Sequence, residues 1–536
     1  MTGEALRARA GAAGRWLVGP GAWVAVLALL LYSAWLRTRN IDAPFWIDEG
    51  ISVGVANYPF HEIPDALGRD GNPPIYYLLL HGWLQLFGDS ERAAHALSGV
   101  FAVATVPLAY LVAKRPLGRP AGVAAAALAA VLPFLTYFGQ ETRMYAMVAL
   151  LSLLVAAAHL RVFDEGARRW QVGLALIAIA LLYTHSWGVF LVGGSVLAVG
   201  ARALVVPAGA PRRRVVRIGF LIHAAAGVAW LPWLPTLARQ ARETGAPWSL
   251  RPTLEMALEG LGSIAQPEMT ATIFLVGLVA SGVALSAAAR GRLSGPVLPA
   301  PERAATLRAH AVVLATLLLA TLLFAWLGSQ VSPAWANRYM AVLVGPAVLL
   351  GGLLLTHSGR FGVVVLVLLL VVWGLDDQGD RLRGKGTPAA MADAVATELR
   401  PGDLVVSTHP EQLPVIAYDL RRRGAPEGLR YATSLGRQRD VRMFDWRHAV
   451  DRLQAAAPWV VADRLIADQR PGSRILLAVP VLSAGNWTGT WTRLVADRTR
   501  AWEALLEADP RLRMIGPRPV TGLRRGVVGV LFVIRP

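Results

Sequence analysis

Three features of the sequence predict a polytopic α-helical membrane protein with a C-terminal α/β domain. Of its 536 residues 55% are hydrophobic and only 16% charged, with a mean hydropathy of +0.46; a soluble domain averages about 45–50% apolar and about 25% charged. Apolar runs long enough to cross a bilayer recur up to about residue 375. Beyond about 376 no such run remains, and Arg, Asp and Pro become frequent.

The runs fall near 17–36, 94–113, 120–138, 144–161, 171–184, 187–205, 217–235, 271–289, 309–328, 339–356 and 361–375. Each is long enough to cross about 30 Å of hydrocarbon with some tilt, which gives about eleven transmembrane helices, 171–184 and 361–375 being the shortest. Arg7, Arg9 and Arg15 precede the first run, which has no small-residue cleavage site and is expected to stay as a helix. With the N-terminus inside, every inner boundary is positive: Lys114, Arg115 and Arg119, then Arg161, Arg168 and Arg169, then Arg212, Arg213, Arg214 and Arg217, then Arg290, Arg292, Arg303 and Arg308, then Arg360. This satisfies the positive-inside rule. It predicts a multi-pass protein of a bacterial cytoplasmic (inner) membrane, with residues 1–375 in the membrane part and 376–536 extracytoplasmic.

The segment 75–87, Ile-Tyr-Tyr-Leu-Leu-Leu-His-Gly-Trp-Leu-Gln-Leu-Phe, is short and interrupted by His81 and Gln85. Counting it as a span would put the Arg-rich loops outside, so it is expected to lie on the outer leaflet as an interfacial helix. The first external loop then runs from about 38 to 93 and carries two short helices, one beginning near Asp48 and one near Pro74. In the outer domain, 404–407, 475–479 and 526–534 read as strands, and 388–399, 411–423, 446–456 and 490–508 have helical periodicity. Strands alternating with helices predict a small α/β domain, which either helps grip an acceptor or only stabilises the outer face.

The formal charge of +18 comes almost wholly from Arg. In a membrane protein such an excess points to cytoplasmic loops and anionic lipid, and no nucleic-acid partner is expected. The absence of Cys excludes disulfides, thiolate metal sites and thiol nucleophiles. No His/Cys metal motif is present, and the adjacent pair His61 and Glu62 is poorly spaced for a shared ion.

With this topology Asp48, Glu49, Asp70, Asn72, Glu141, Arg143, His185, Arg338 and Tyr339 all fall at or just beyond the outer ends of helices, and Tyr145 stands beside the second acidic cluster, Gln140-Glu141-Thr142-Arg143. At that depth an ionisable group faces water in a cleft, whereas at mid-membrane it would cost several kcal/mol. A carboxylate at the mouth of a low-dielectric cleft can act as a general base, and a guanidinium suits phosphate. Each group also has a plainer use. Asp48 and Glu49 suit a helix N-terminus, Pro73-Pro74 a helix start, Glu141 and Arg143 an interfacial ion pair, and Arg338 a snorkelling anchor. Trp230, Trp233 and Trp248 suit an aromatic belt.

The motifs Trp46-Ile47-Asp48-Glu49-Gly50, Gly71-Asn72-Pro73-Pro74-Ile75-Tyr76-Tyr77, Gln140-Glu141-Thr142-Arg143-Met144-Tyr145 and Tyr183-Thr184-His185 resemble the bacterial relatives of protein O-mannosyltransferases and the lipid A aminoarabinose transferases, all of the GT-C class of membrane glycosyltransferases. The resemblance covers about 17–375. It departs at Asn72, where many relatives carry His before the Pro-Pro, so a role for that His in binding acceptor or metal does not carry over. It implies an inverting glycosyltransferase that uses a polyprenyl-phosphate-linked sugar donor, its outer-side cavity roofed by the first external loop. It makes Asp48 the general base, has Glu49 and Glu141 orient the acceptor or a divalent ion, and gives the donor phosphate to Arg143 or Arg338. Asp70, Asn72, Tyr145, His185 and Tyr339 complete the substrate-binding set. Asp48 and Glu49 are the metal candidates if a divalent cation, Mg or Mn, is used; the acceptor is a protein, lipid or polysaccharide hydroxyl. Two rival readings are a transporter or lipid flippase, which calls for paired repeats and polar groups at mid-membrane, and a non-catalytic scaffold of an envelope glycan assembly complex.

Overall fold

A computed structural model describes residues 21–206, 208–293, 298–482, 487–516 and 525–536; Arg7, Arg9, Arg15 and the start of the first apolar run lie outside them. Each of the eleven runs falls on a helix. Among the described residues seven helices are long and apolar enough to cross a membrane by length and composition, from Glu91–Ala113 to Asn337–Thr356. Gly21–Leu36, Arg119–Val131 and Arg360–Gly374 are shorter apolar helices, and Arg168–Leu182 has 15 residues. Ile75–Phe87 has 13 residues, about 20 Å at 1.5 Å each, too short for a 30 Å core.

Local chemistry sets where the helices break and how closely they pack. The run 120–138 divides at Leu132, because Pro133 has no N–H to return to Ala129. The guanidinium of Arg37, fully buried, donates to the freed Ala129 carbonyl and to Ala102 O, so a buried charge satisfies backbone. Helices Tyr145–Glu165 and Ala341–Thr356 approach until a Cβ on Gly345 would stand 2.0 Å from Leu153 N. The Arg-rich connections meet at one end of the bundle: Arg303 reaches Pro116 O and Arg161 reaches Leu111 O and Val112 O.

The C-terminal part forms a six-stranded sheet, β1 (Leu404–Ser407), β2 (Arg430–Thr433), β3 (Gly436–Gln438), β4 (Arg474–Pro480), β5 (Leu512–Gly516) and β6 (Val527–Ile534), in the order β3-β2-β1-β4-β6-β5. β1 runs parallel to β2 and β4; the other pairs are antiparallel. Strands 404–407, 475–479 and 526–534 appear as read, and both faces of β1 are covered. Leu404 and Val406 pack with helices Pro458–Ala467 and Thr490–Ala508, and Val405 with Ala389–Val395 and Leu413–Arg422, which is why these strands are continuous apolar runs. The sequence reading missed β2, β3, β5 and helix Pro458–Ala467. β2 and β3 are four and three residues long, and the middle of β5 is exposed at the sheet edge, so none carries a buried apolar period.

Between the parts lies helix Ile47–Ala56. A Cβ on Gly50 would stand 2.4 Å from Val415 Cβ, and one on Gly54 would stand 1.8 Å from the Arg442 carbonyl oxygen. Two glycines four apart share one helix face, and that face seats the C-terminal domain. Val415, Tyr418 and Met443 join the core of the helical part, and Tyr418 donates to Asp89 O at 3.0 Å.

Candidate active site

A cavity of about 1070 Å³ opens where this helix, the loops at its end of the bundle and the C-terminal domain meet. Asp48, Asp70, Asn72, Arg143, His185, Arg338 and Tyr339 line it; Glu49, Glu141 and Tyr145 stand behind its wall. These groups come from segments up to 291 residues apart in the chain and sit at helix termini or in the connections between helices.

Asp48 lies in the first turn of helix Ile47–Ala56. Its Oδ2 has no hydrogen-bond partner among the described residues and lies 3.7 Å from Arg338 Nη2, with the Asp48 side chain 20% exposed; that is an ion contact too long for a hydrogen bond. Arg338 stacks against Trp46 and Tyr339 at 5.9 and 5.5 Å. Arg143 is buried and donates through Nη1 to Tyr77 OH at 3.1 Å, Ser52 Oγ at 3.2 Å and the Asp48 carbonyl at 3.4 Å, while its Nε has no partner among the described residues. Burial disfavours its charge, but Tyr77, Tyr145 and Asp48 outweigh burial and hold the guanidinium protonated. The result is two fixed positive charges and one open carboxylate on a single wall.

His185 accepts from the Trp187 N–H at Nδ1, 3.0 Å, and packs against Tyr339 at 4.9 Å. Burial, with Arg143 and Arg338 nearby, pushes its pKa down to about 3, so a neutral ring faces the cavity. Asp70 is buried and accepts from Asn72 Nδ2 at 2.6 Å. Burial raises its pKa against the pull of Arg143. Tyr145 packs against His185 and Tyr339, with Arg143 5.7 Å from its ring.

Glu49 and Glu141 are occupied differently. The fully buried Glu49 carboxylate accepts from His95 Nε2 at 2.6 Å, the Thr142 N–H at 2.8 Å, and Lys385 Nζ and the Trp46 N–H, both at 3.3 Å. His95 is fixed in turn through Nδ1 to Ile41 O. Lys385 Nζ also lies 3.0 Å from Glu141 Oε2. Burial alone would raise the Glu49 carboxyl; Lys385 and His95 outweigh it and hold the group at about 2. For Glu141 burial prevails over Lys385 and the pKa is raised. Lys385 itself stays charged, since Glu141 and Glu49 outweigh its desolvation. A divalent ion on Asp48 and Glu49 does not fit this arrangement, because the Glu49 oxygens are filled. No group of three or more His, Asp or Glu able to hold a metal occurs among the described residues.

Lys385 and His95 were not singled out from sequence, nor were His409, Glu411 and Gln412, which face the cavity from the C-terminal domain. The one available signal for Lys385 was its rarity, as one of two lysines in an Arg-rich chain. Trp248, read as a belt residue, lines the cavity instead, its ring 4.7 Å from that of Trp446.

Helical bundle, helix-borne acidic loop and C-terminal sheet together make the fold of the GT-C class of membrane glycosyltransferases, as the four motifs implied. Residues 71–234 match the family model described as Dolichyl-phosphate-mannose-protein mannosyltransferase; that segment carries Asn72, Glu141, Arg143 and His185, whereas Asp48 and Arg338 lie outside it. The chain is similar to ArnT from Cupriavidus metallidurans in its apo crystal structure, with a TM-score of 0.59 and 15% identity over 97% of this chain and 98% of that one. The similarity holds for ArnT bound to undecaprenyl phosphate, at 0.58 and 14% over 96% and 98%. It extends to the arabinofuranosyltransferase AftD from Mycobacteria, at 0.53 and 14% over 97% of this chain but 40% of AftD. No curated protein sequence matches.

Proposed function

We propose that the protein is an inverting glycosyltransferase that moves a sugar from a polyprenyl-phosphate-linked donor to an acceptor hydroxyl, with Asp48 as general base, at the extracytoplasmic face of a bacterial cytoplasmic membrane. The observation that carries the reading is the buried, unbonded Oδ2 of Asp48 beside Arg338 and Arg143 on one cavity wall. Trp187, Val189 and Phe190 line the same cavity and give a polyprenyl chain an apolar approach. The ArnT complex with undecaprenyl phosphate supports a donor of that class.

The chemistry follows from the charges. The leaving group is a lipid phosphate, and two guanidiniums in a water-poor wall stabilise the charge that develops on it. A donor phosphate competes with Asp48 for Arg338, whose 3.7 Å contact is loose. Its arrival frees the carboxylate to take the acceptor proton as the new C–O bond forms opposite the departing phosphate. One bond forms and one breaks, the proton ends on Asp48, and anomeric configuration inverts. Asp70, protonated more readily than an exposed carboxyl, and the neutral His185 are placed to hold sugar hydroxyls. Glu49, Glu141 and Lys385 fix the helix that presents Asp48.

The test is transfer by the purified protein in nanodiscs from hexosyl- and pentosyl-polyprenyl phosphates, with the anomeric configuration of the product read by NMR. Inverted product is expected. Retention, or no transfer from any polyprenyl-phosphate sugar, would overturn the reading.

A further inference from the structure

The half of the cavity that faces the C-terminal domain has chemistry of its own. His409 and the turn Pro410–Gln412 follow β1 after Thr408, and Pro480 ends β4 with Val481 next to it. β1 and β4 are parallel neighbours, while the chain leaving β1 crosses to β2 on the other side. This is a switch point, where open sheets take ligands beyond the carboxyl ends of their strands. Residues from both strand ends line the cavity.

Polar atoms there lack partners. His409 is 5% exposed and Gln412 4% exposed, yet His409 Nδ1 and Gln412 Oε1 have no hydrogen bond among the described residues. His409 Nε2 meets Glu411 Oε1 at 2.6 Å, and the Trp491 Nε1–H donates to the same oxygen at 3.2 Å. In the neutral imidazole whose Nε2–H donates to the carboxylate, Nδ1 is an acceptor; Gln412 Oε1 is another. Leaving such atoms unmade costs about 1–3 kcal/mol each, so the site calls for a ligand or water that donates. A phosphate, which offers mainly acceptors, does not answer that call. Trp487 stacks near His409, ring centroids 5.8 Å apart, and the Trp248 Nε1–H on the same cavity has no partner among the described residues. Asp70 feels the charges of both Asp48 and Glu411, and all three line the same cavity.

We infer that this half is a saccharide subsite that holds the acceptor as a sugar ring, Trp487 covering an apolar face while His409, Glu411 and Gln412 take hydrogen bonds from its hydroxyls. Aromatic faces beside convergent acceptors suit a polyol; a peptide serine offers a single hydroxyl. The inference rests on the transferase reading and names the acceptor class which that reading leaves open.

Saturation-transfer NMR on the full-length protein in nanodiscs tests it, with methyl pyranosides and furanosides, a serine tripeptide and inorganic phosphate as probes. At least one methyl glycoside is expected to bind, and to lose tenfold or more in affinity in both Gln412→Leu and Trp487→Ala. Undecaprenyl phosphate affinity should stay within twofold and the melting temperature unchanged. Should Gln412→Leu fail to fold, Trp487→Ala, whose ring is only half-buried, decides alone. Binding of no glycoside by the wild type, glycoside binding unchanged in the folded variants, or binding of the tripeptide or phosphate in its place would overturn the inference. If undecaprenyl phosphate itself fails to bind the wild type, the transferase reading falls instead, so the two failures are distinguishable.

Discussion

The cavity-facing and core-facing sides of helix Ile47–Ala56 carry adjacent carboxylates in opposite circumstances. Asp48 looks into the cavity with an unbonded oxygen and one loose ion contact. Glu49, about 100° further round the helix, is sealed off and bound by His95, Thr142, Trp46 and Lys385. A free carboxylate is useful to a reaction only if its helix stays still, and the bound neighbour keeps it still. Under the proposed function the pair forms one device, a reactive group and its anchor.

The largest effect on the anchor should come from Lys385→Met. It strands two buried carboxylates, and breaking a buried pair by removing one partner costs about 3–5 kcal/mol. Thermal unfolding in detergent checks this, and an unchanged melting temperature would break the comparison. Next, Arg143→Lys keeps charge but loses the guanidinium fork. Hydrogen bonds to charged groups are worth about 1.5–3 kcal/mol, so undecaprenyl phosphate affinity should fall roughly 10- to 100-fold by titration.

The pH dependence sharpens the contrast. Glu49 is depressed from 4.5 to about 2 in the folded chain, so its stabilisation is present above pH 4.5 and is lost as pH falls towards 2. Glu141 is raised, so its contribution is present at low pH and is lost as pH rises through its folded pKa. Acid denaturation curves of Glu49→Gln should lack the step between pH 4.5 and 2 that the wild type shows. The smallest effect is expected for Glu141→Gln at neutral pH, under about 1 kcal/mol, because Lys385 keeps Glu49.

The helices and most of the cavity were legible in the sequence, because both depend on short-range signals. Each apolar run falls on a helix, 120–138 on two, and polar residues at or near run ends mark the cavity's rim: Asp48, Asp70, Asn72, Arg143, His185, Arg338 and Tyr339 all reach it. What escaped is what arrives from far along the chain. Lys385 meets Glu49 across 336 residues, and His409 and Glu411 lie in a turn whose neighbours in the sheet, not its own sequence, aim it at the cavity. Periodicity along a chain contains no record of such pairings. It also could not divide labour between Asp48 and Glu49, since that depends on which side of one helix meets His95 and Lys385.

The central claim is that Asp48 is the base and not part of the anchor. The most direct measurement compares Asp48→Asn with wild type in the same nanodiscs for single-turnover sugar transfer, undecaprenyl phosphate binding and melting temperature. A positioned general base contributes about 10²–10⁴-fold, so transfer should fall by about that factor with binding and melting unchanged. Transfer at the wild-type rate, or a loss matched by an equal loss of binding or of melting temperature, would contradict it.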